Sequence, residues 1–165
     1  MDHSDLDRVL EAAGAQFEAA VAAEEDAAAG DLALSLLQGT ELAVLLCRAP
    51  WSVRRPAGGS AQVVQVGPDV ALASSWLRGP ADLLIPLERA LFVNGEGSAP
   101  QRSVDTFVAA LRHRVRTGGR MRVVIGEEPI EGRPRLVTET HIVLTRSHGE
   151  AVIPVAEVRE VQLID

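Results

Sequence analysis

The chain has 165 residues, 47% of them hydrophobic but only 3% aromatic, with one cysteine and a formal net charge of −7. That length suits one domain or two very small ones, and the lone Cys47 excludes an intramolecular disulfide framework. The acidic total argues against strong non-specific nucleic-acid binding by the whole molecule. No stretch reaches the roughly 18 consecutive apolar residues that would read as a membrane span. The start, Asp2-His3-Ser4-Asp5, is acidic where a signal peptide is basic, so the expected compartment is the cytoplasm.

All 16 basic residues are Arg, and with the high Ala content this resembles proteins of GC-rich bacterial genomes. Charge is unevenly spread. Residues 1–33 carry nine acids and one base, residues 34–101 five of each sign, and residues 102–165 ten arginines and nine acids. The net negative charge therefore lies in the first segment, which marks it as a tail or an interaction face.

Residues 4–29 read as a helix. Ser4 or Asp5 caps it, and Leu6, Leu10, Phe17 and Val21 fall on one face at helical spacing. This stripe is a candidate helix interface. Gly30-Asp31 breaks the helix, and a short helix from Leu32 to Gln38 closes at Gly39. Strands are expected over Thr40 to Cys47, Ser60 to Val66, Val70 to Ser74 and Leu83 to Ile85, with a last one at Leu91 to Asn94. A long connection, Arg48 to Gly59, joins the first two. The Gly/Ser/Pro-rich stretch after Asn94 reads as a linker. A second helix follows, capped by Ser103, with Val104, Phe107, Val108, Leu111 and Val115 as its apolar face. Strands then run over Arg120 to Ile125, Ile130 to Val137, His141 to Thr145, Glu150 to Ile153 and Val158 to Ile164.

Two stretches share the pattern I-P-h-x-x-h-x-x-V, with h hydrophobic: Ile85-Pro86-Leu87-Glu88-Arg89-Ala90-Leu91-Phe92-Val93 and Ile153-Pro154-Val155-Ala156-Glu157-Val158-Arg159-Glu160-Val161. Proline fixes φ and cannot donate to a ladder, so each copy ends a strand. The few residues before the next extended run fit a single 3₁₀ turn. The repeat predicts two copies of one unit. The expected division is an acidic helical segment at 1–38, a first small barrel at 39–95, a linker at 96–102, and a helix with a second small barrel at 103–165.

A helix, five short bent strands and a 3₁₀ turn before the last strand resemble the Sm-like or SH3-like small β-barrel. The residues carrying this are Gly119 to Val124, Glu131-Gly132, His141 to Leu144 and Ile153 to Val158, with a looser match over 39–94. More loosely, the chain resembles a group of actinobacterial proteins with two such barrels. The resemblance implies an α+β, mostly β fold of two five-stranded barrels, each preceded by a helix. Sm proteins bind RNA through an Asp-x-φ-Asn loop and an Arg-Gly or Lys-His pair. Here Asp69 has no following Asn, and Ile-Pro precedes the last strand, so those contact residues are absent.

The run Arg112-His113-Arg114-Val115-Arg116-Thr117-Gly118-Gly119-Arg120-Met121-Arg122 holds five Arg and no acid. Arg grips phosphate in a bidentate way, but the run also suits pairing with Glu127, Glu128 or the acidic first helix. Trp51, with Arg54 and Arg55 on the long connection, forms a second candidate for stacking a base or anchoring a partner. Trp76 reads as core or rim packing. His141 and His148 lack further ligands for a metal, and no nucleophile or phosphate-loop motif is present, so no catalytic residue, metal or cofactor is expected. The sequence points to a non-catalytic interaction or scaffold module, self-associating or bound to a protein partner. The alternative is a nucleic-acid-binding Sm-like protein acting in RNA metabolism or gene regulation.

Overall fold

The computed structural model describes residues 15, 16, 18–23, 41–76 and 80–164. The chain divides into two compact units, Met1–Gln38 and Gly39–Asp165. In the first unit the described residues are helical and exposed. Of the expected helix face, Leu6, Leu10 and Phe17 lie outside the described residues, as does the expected helix from Leu32 to Gln38; Val21 is exposed.

The second unit opens with helix α1 (residues 41–46), where a strand was expected. The contiguous apolar run from Leu42 to Leu46 is compatible with either state by pattern alone. Ala43 and Leu46, three apart on one helical face, are the residues that bury. Strands β1 (Trp51–Arg54), β2 (Ser60–Val66), β3 (Val70–Ser74), β4 (Leu83–Pro86) and β5 (Phe92–Asn94) follow, with a 3₁₀ turn, Leu87–Arg89, between the last two. The expected linker contributes a short strand, β6 (Gln101–Arg102), which pairs in parallel with β2. Helix α2 (Phe107–Thr117) precedes β7 (Arg120–Val124), β8 (Pro129–Val137), β9 (His141–Arg146) and β10 (Gly149–Pro154). A second 3₁₀ turn, Val155–Glu157, leads into β11 (Glu160–Ile164).

Helix α2 starts later than the sequence suggested. Its cap is Thr106, whose hydroxyl accepts from the Ala109 N–H at 3.2 Å. Ser103 and Val104 lie outside it, and Val104 is exposed. Phe107, Val108 and Leu111 form the buried face, Arg114 and Arg116 sit where the helix dipole favours cations, and left-handed Gly118 (φ 79°) ends it.

The strands form one sheet of eleven, in the order β10-β9-β8-β7-β11-β4-β3-β2-β1-β5 with β6 beside β2. It is mostly antiparallel and does not close on itself, so two separate closed barrels are not what the pairing displays. The internal repeat is nevertheless visible in it. The first half runs β4-β3-β2-β1-β5 and the second β10-β9-β8-β7-β11, and the two join where β11 pairs with β4. Pro86 and Pro154 close matching strands with similar dihedrals, φ −57° and ψ 131° against φ −63° and ψ 128°. The Leu87 N–H donates to the Asp69 carbonyl at 2.9 Å, and the Val155 N–H to the Thr140 carbonyl at 2.8 Å. Register shifts fall between Val63 and Gln65 in β2 and between Pro134 and Leu136 in β8. Such bulges bend a strand sharply, which lets each half fold over its own core.

Two apolar clusters result. One holds Ala43 and Leu46 of α1 with Val53, Val63, Ala73, Leu83 and Ile85. The other holds Phe107 and Leu111 of α2 with Met121, Ile142, Leu144, Ile153 and Val161, and it also takes in Val70 and Leu84 from the first half. The halves therefore share a core as well as a strand junction. Burying a side chain such as Leu84 contributes about 1.5–3 kcal/mol.

Candidate interaction surface

The junction between the halves uses one residue that the sequence had offered as a surface contact, Arg55. Trp51 and Arg54 lie on β1, not on a loop. Trp51 is half-buried against the first cluster, and its indole N–H finds no acceptor among the described residues. Arg54 is exposed. Arg55 instead reaches into the second half: its Nε donates to Glu160 Oε2 at 3.0 Å and its Nη2 to Glu160 Oε1 at 2.7 Å. Glu160 is only 1% exposed and the Arg55 side chain 19%, so the bidentate pair fixes a buried carboxylate with a guanidinium that still reaches water. The hydrogen bonds to Glu160 push the Arg55 pKa up from its already high value, against burial, which lowers it. Arg55 is thus a structural clasp and is removed from the candidate binding surface.

A second clasp joins the equivalent 3₁₀ turns, with Arg89 Nη2 donating to the Ala156 carbonyl at 2.6 Å. A third is Asp69, the one residue of the first half that fits the Sm-like loop pattern. Its Oδ1 accepts from the Phe107 N–H at 2.7 Å, capping α2 from across the junction. Burial pushes the Asp69 carboxyl above its usual range; the Phe107 N–H pulls it partly back, and Glu88 and Glu139 push it further up. Gly67 permits this approach, because a Cβ there would lie 2.2 Å from the Asp105 carbonyl oxygen.

The five arginines of the basic run divide among separate places. Arg112 Nη2 pairs with Glu139 at 2.8 Å and its Nε donates to the Val137 carbonyl at 3.2 Å. Arg122 Nε donates to Glu131 at 2.7 Å and Nη1 to Gln162 at 3.3 Å. Arg120 lies 3.8 Å from the same Glu131. Arg114 is half-buried beside Gly119, and Arg116 is exposed on the last helical turn. Among the described residues, the acids paired with Arg112, Arg120 and Arg122 are Glu139 and Glu131, where the sequence suggested Glu127, Glu128 or the first helix. The acids at 2–11 and 24–31 lie outside the described residues.

Three features were not singled out from sequence. An open cavity of about 620 Å³ on the second half brings Arg120 and Glu131 together with Arg133, Thr145 and Arg146. Neither Arg133 nor Arg146 makes an ion pair among the described residues. Trp76, read from the sequence as core or rim packing, is 72% exposed and so is not part of the core. It borders a cavity of about 350 Å³ with Asp82, Arg122 and Leu163. Finally, Leu136, Val143 and Val152 are cross-strand neighbours on β8, β9 and β10, with Leu136 49% and Val152 63% exposed. The alternation of β9, with Ile142 and Leu144 inward, was the signal that put Val143 on the opposite face.

His141 Nδ1 sits 2.9 Å from the Thr140 hydroxyl, and among the described residues no cluster of His, Cys, Asp and Glu could hold a metal. Cys47 is half-buried against the first cluster. No helix among the described residues is long and apolar enough to cross a membrane. No family model, curated protein or solved structure is significantly similar to the chain.

Proposed function

We propose that the chain is a non-catalytic interaction module built from two Sm-like units and acting as a self-associating or partner-binding scaffold. The repeated strand order, with a 3₁₀ turn before each last strand, supports the Sm-like reading of each half. The observation that carries the functional reading is where the side chains go. Arg55, Arg112 and Arg122, candidate phosphate grips by sequence, are engaged with Glu160, Glu139 and Glu131, while Leu136 and Val152 stand in the open beside a sheet edge. Exposed apolar side chains grouped at an edge fit a protein partner better than a polyanion.

Arg120, Arg133 and Arg146 around one cavity favour the second reading, a nucleic-acid-binding protein acting in RNA metabolism or gene regulation. The full chain on a polyanion resin separates the two. Elution at low salt is expected. Retention that collapses as salt rises, and that disappears when these three arginines become Ala, would establish nucleic-acid binding instead.

A further inference from the structure

The cavity of about 620 Å³ on the second half gathers positive charge on a chain that is acidic as a whole. We infer that it binds a diphosphate group, free or at the end of a small organic ligand. The inference goes beyond the module reading and does not depend on it.

The site follows from strand register. Arg133 of β8 stands opposite Thr145 of β9. On the other side of β8, Arg122 pairs with Glu131 and Met121 with Gly132, so the next step along the strands sets Arg120 opposite Arg133. Met121, Gly132 and Leu144 are buried, so alternation turns Arg120, Arg133 and Thr145 to the outer face. Arg146 reaches the cavity from the end of β9. Its stem lies beside Gly132, where a Cβ would be 3.4 Å from Arg146 Cγ.

This arrangement conflicts with the stability of the free protein. Like charges directly opposite on neighbouring strands are destabilising. Among the described residues the carboxylate lining the cavity is Glu131, and it is already engaged. Arg122 Nε donates to it at 2.7 Å, while Arg120 stays 3.8 Å away. Arg133 and Arg146 meet no acid among the described residues. Three guanidinium groups therefore line the cavity against one shared carboxylate. Proteins keep such local conflicts where function needs them, and an anion resolves this one.

A diphosphate suits the lining in chemistry and size. Its oxygens accept paired guanidinium N–H groups in bidentate fashion. The hydroxyls of Thr145 and Ser147 add donors. From Arg120 to Thr145 the row crosses two strand spacings, about 10 Å. The cavity volume lies in the range of small-ligand sites. An extended nucleic acid suits it less well. No aromatic side chain lines the cavity to stack a base. Beyond Thr145 the row continues to Glu150, which pairs with Arg135, so the positive run stops there. Glu127 and Glu128 precede Pro129 of the lining. A long polyanion leaving the arginines meets these acids, whereas a diphosphate ends before them.

The test is calorimetric titration of the full chain at low salt with inorganic pyrophosphate. Further arms use orthophosphate, a nucleoside diphosphate and a dicarboxylate. One-to-one binding of pyrophosphate is expected, with orthophosphate and the dicarboxylate weaker. Arg133→Gln and Arg146→Gln should each weaken it roughly tenfold, through loss of one charge-assisted contact. Arg116→Gln, which does not line the cavity, should leave it unchanged. Tighter binding of the nucleoside diphosphate would support a diphosphate carried by an organic ligand, and equal or weaker binding a free one. Without ligand, Arg133→Gln should melt above the wild type at low salt, and the gain should fade at high salt. Absence of pyrophosphate binding overturns the inference, as does binding that both glutamine variants leave intact. A dicarboxylate that binds as tightly also overturns it. So does a single-stranded RNA that displaces pyrophosphate and binds more tightly, which would make the cavity a nucleic-acid contact. The polyanion resin tests the module reading and pyrophosphate tests the cavity, so each can fail alone.

Discussion

Leu84 and Val152 occupy the same place in the two halves of one sheet, and their surroundings are opposite. Leu84 has β11 beside it and α2 within the same packed cluster, whereas Val152 ends the sheet with solvent beyond it. The same contrast recurs next to them. Gln65 of β2 is joined by β6, while its counterpart Leu136 on β8 has no such strand among the described residues and stays exposed. Asp69 caps a helix across the junction, while its counterpart Thr140 turns its hydroxyl to His141 and Thr138. Two copies of one pattern therefore need not share one energetic role: the position of a copy in the sheet decides whether its apolar face is core or edge.

The sharpest way to break the comparison is at the buried clasp. Removing the arginine strands a buried carboxylate, so Arg55→Ala should cost about 3–5 kcal/mol in urea unfolding, and Glu160→Ala less, because the part-exposed Arg55 keeps access to water. An apolar replacement of both, Arg55→Met with Glu160→Leu, should recover most of that loss. A double variant as unstable as the singles would mean that the pair is needed for the junction's shape rather than for its charge balance.

Truncation at the equivalent apolar positions comes next. Leu84→Ala empties a packed site and should cost about 2–5 kcal/mol. Val152→Ala should change the stability of the single chain by no more than about 0.5 kcal/mol. Equal losses at the two positions would contradict the contrast between the buried and the exposed copy.

Asp69 gives a smaller effect with a pH signature. Asp69→Ala removes a helix cap and should cost about 1 kcal/mol, whereas Asp69→Asn keeps the accepting oxygen. The folded carboxyl titrates above its ordinary value of 3.8, so the folded state binds the proton more readily than the unfolded chain. Its contribution is fully present below that ordinary value and is lost as pH rises through the raised one. The stability of the wild type relative to Asp69→Asn should therefore fall with rising pH across that window; a difference independent of pH would remove the burial argument.

The smallest expected change is on the surface. Arg112→Ala and Arg122→Ala break pairs with the exposed Glu139 and the partly exposed Glu131, and each should cost about 0–1 kcal/mol, less at high salt.

Much of the sheet was legible from local signals. Pro86 and Pro154 marked two strand ends, and β2, β3 and β7 to β10 lie within a residue or so of where alternation and turns put them. The acidic and basic counts were equally plain. Long-range information was hidden. Arg55 and Glu160 are 105 residues apart, and nothing in Arg54-Arg55 says which guanidinium turns inward. The helix at 41–46 was concealed because a short apolar run reads the same in either state. Strand β1 was concealed by Pro50 before it and by the Arg54-Arg55 pair at its end. That the strands join in one open sheet was also out of reach, since two bent five-stranded units and one continuous sheet share the same local pattern.

The shared cluster has a thermodynamic consequence. Val70 and Leu84 belong by sequence to the first half and by packing to the second, so neither half can lose its order without stripping apolar cover from the other. Residues 41–164 should then melt in one cooperative transition, with the calorimetric enthalpy equal to the van't Hoff enthalpy, as for a single domain. Amides on β4 and β11 should exchange with solvent only through that global opening.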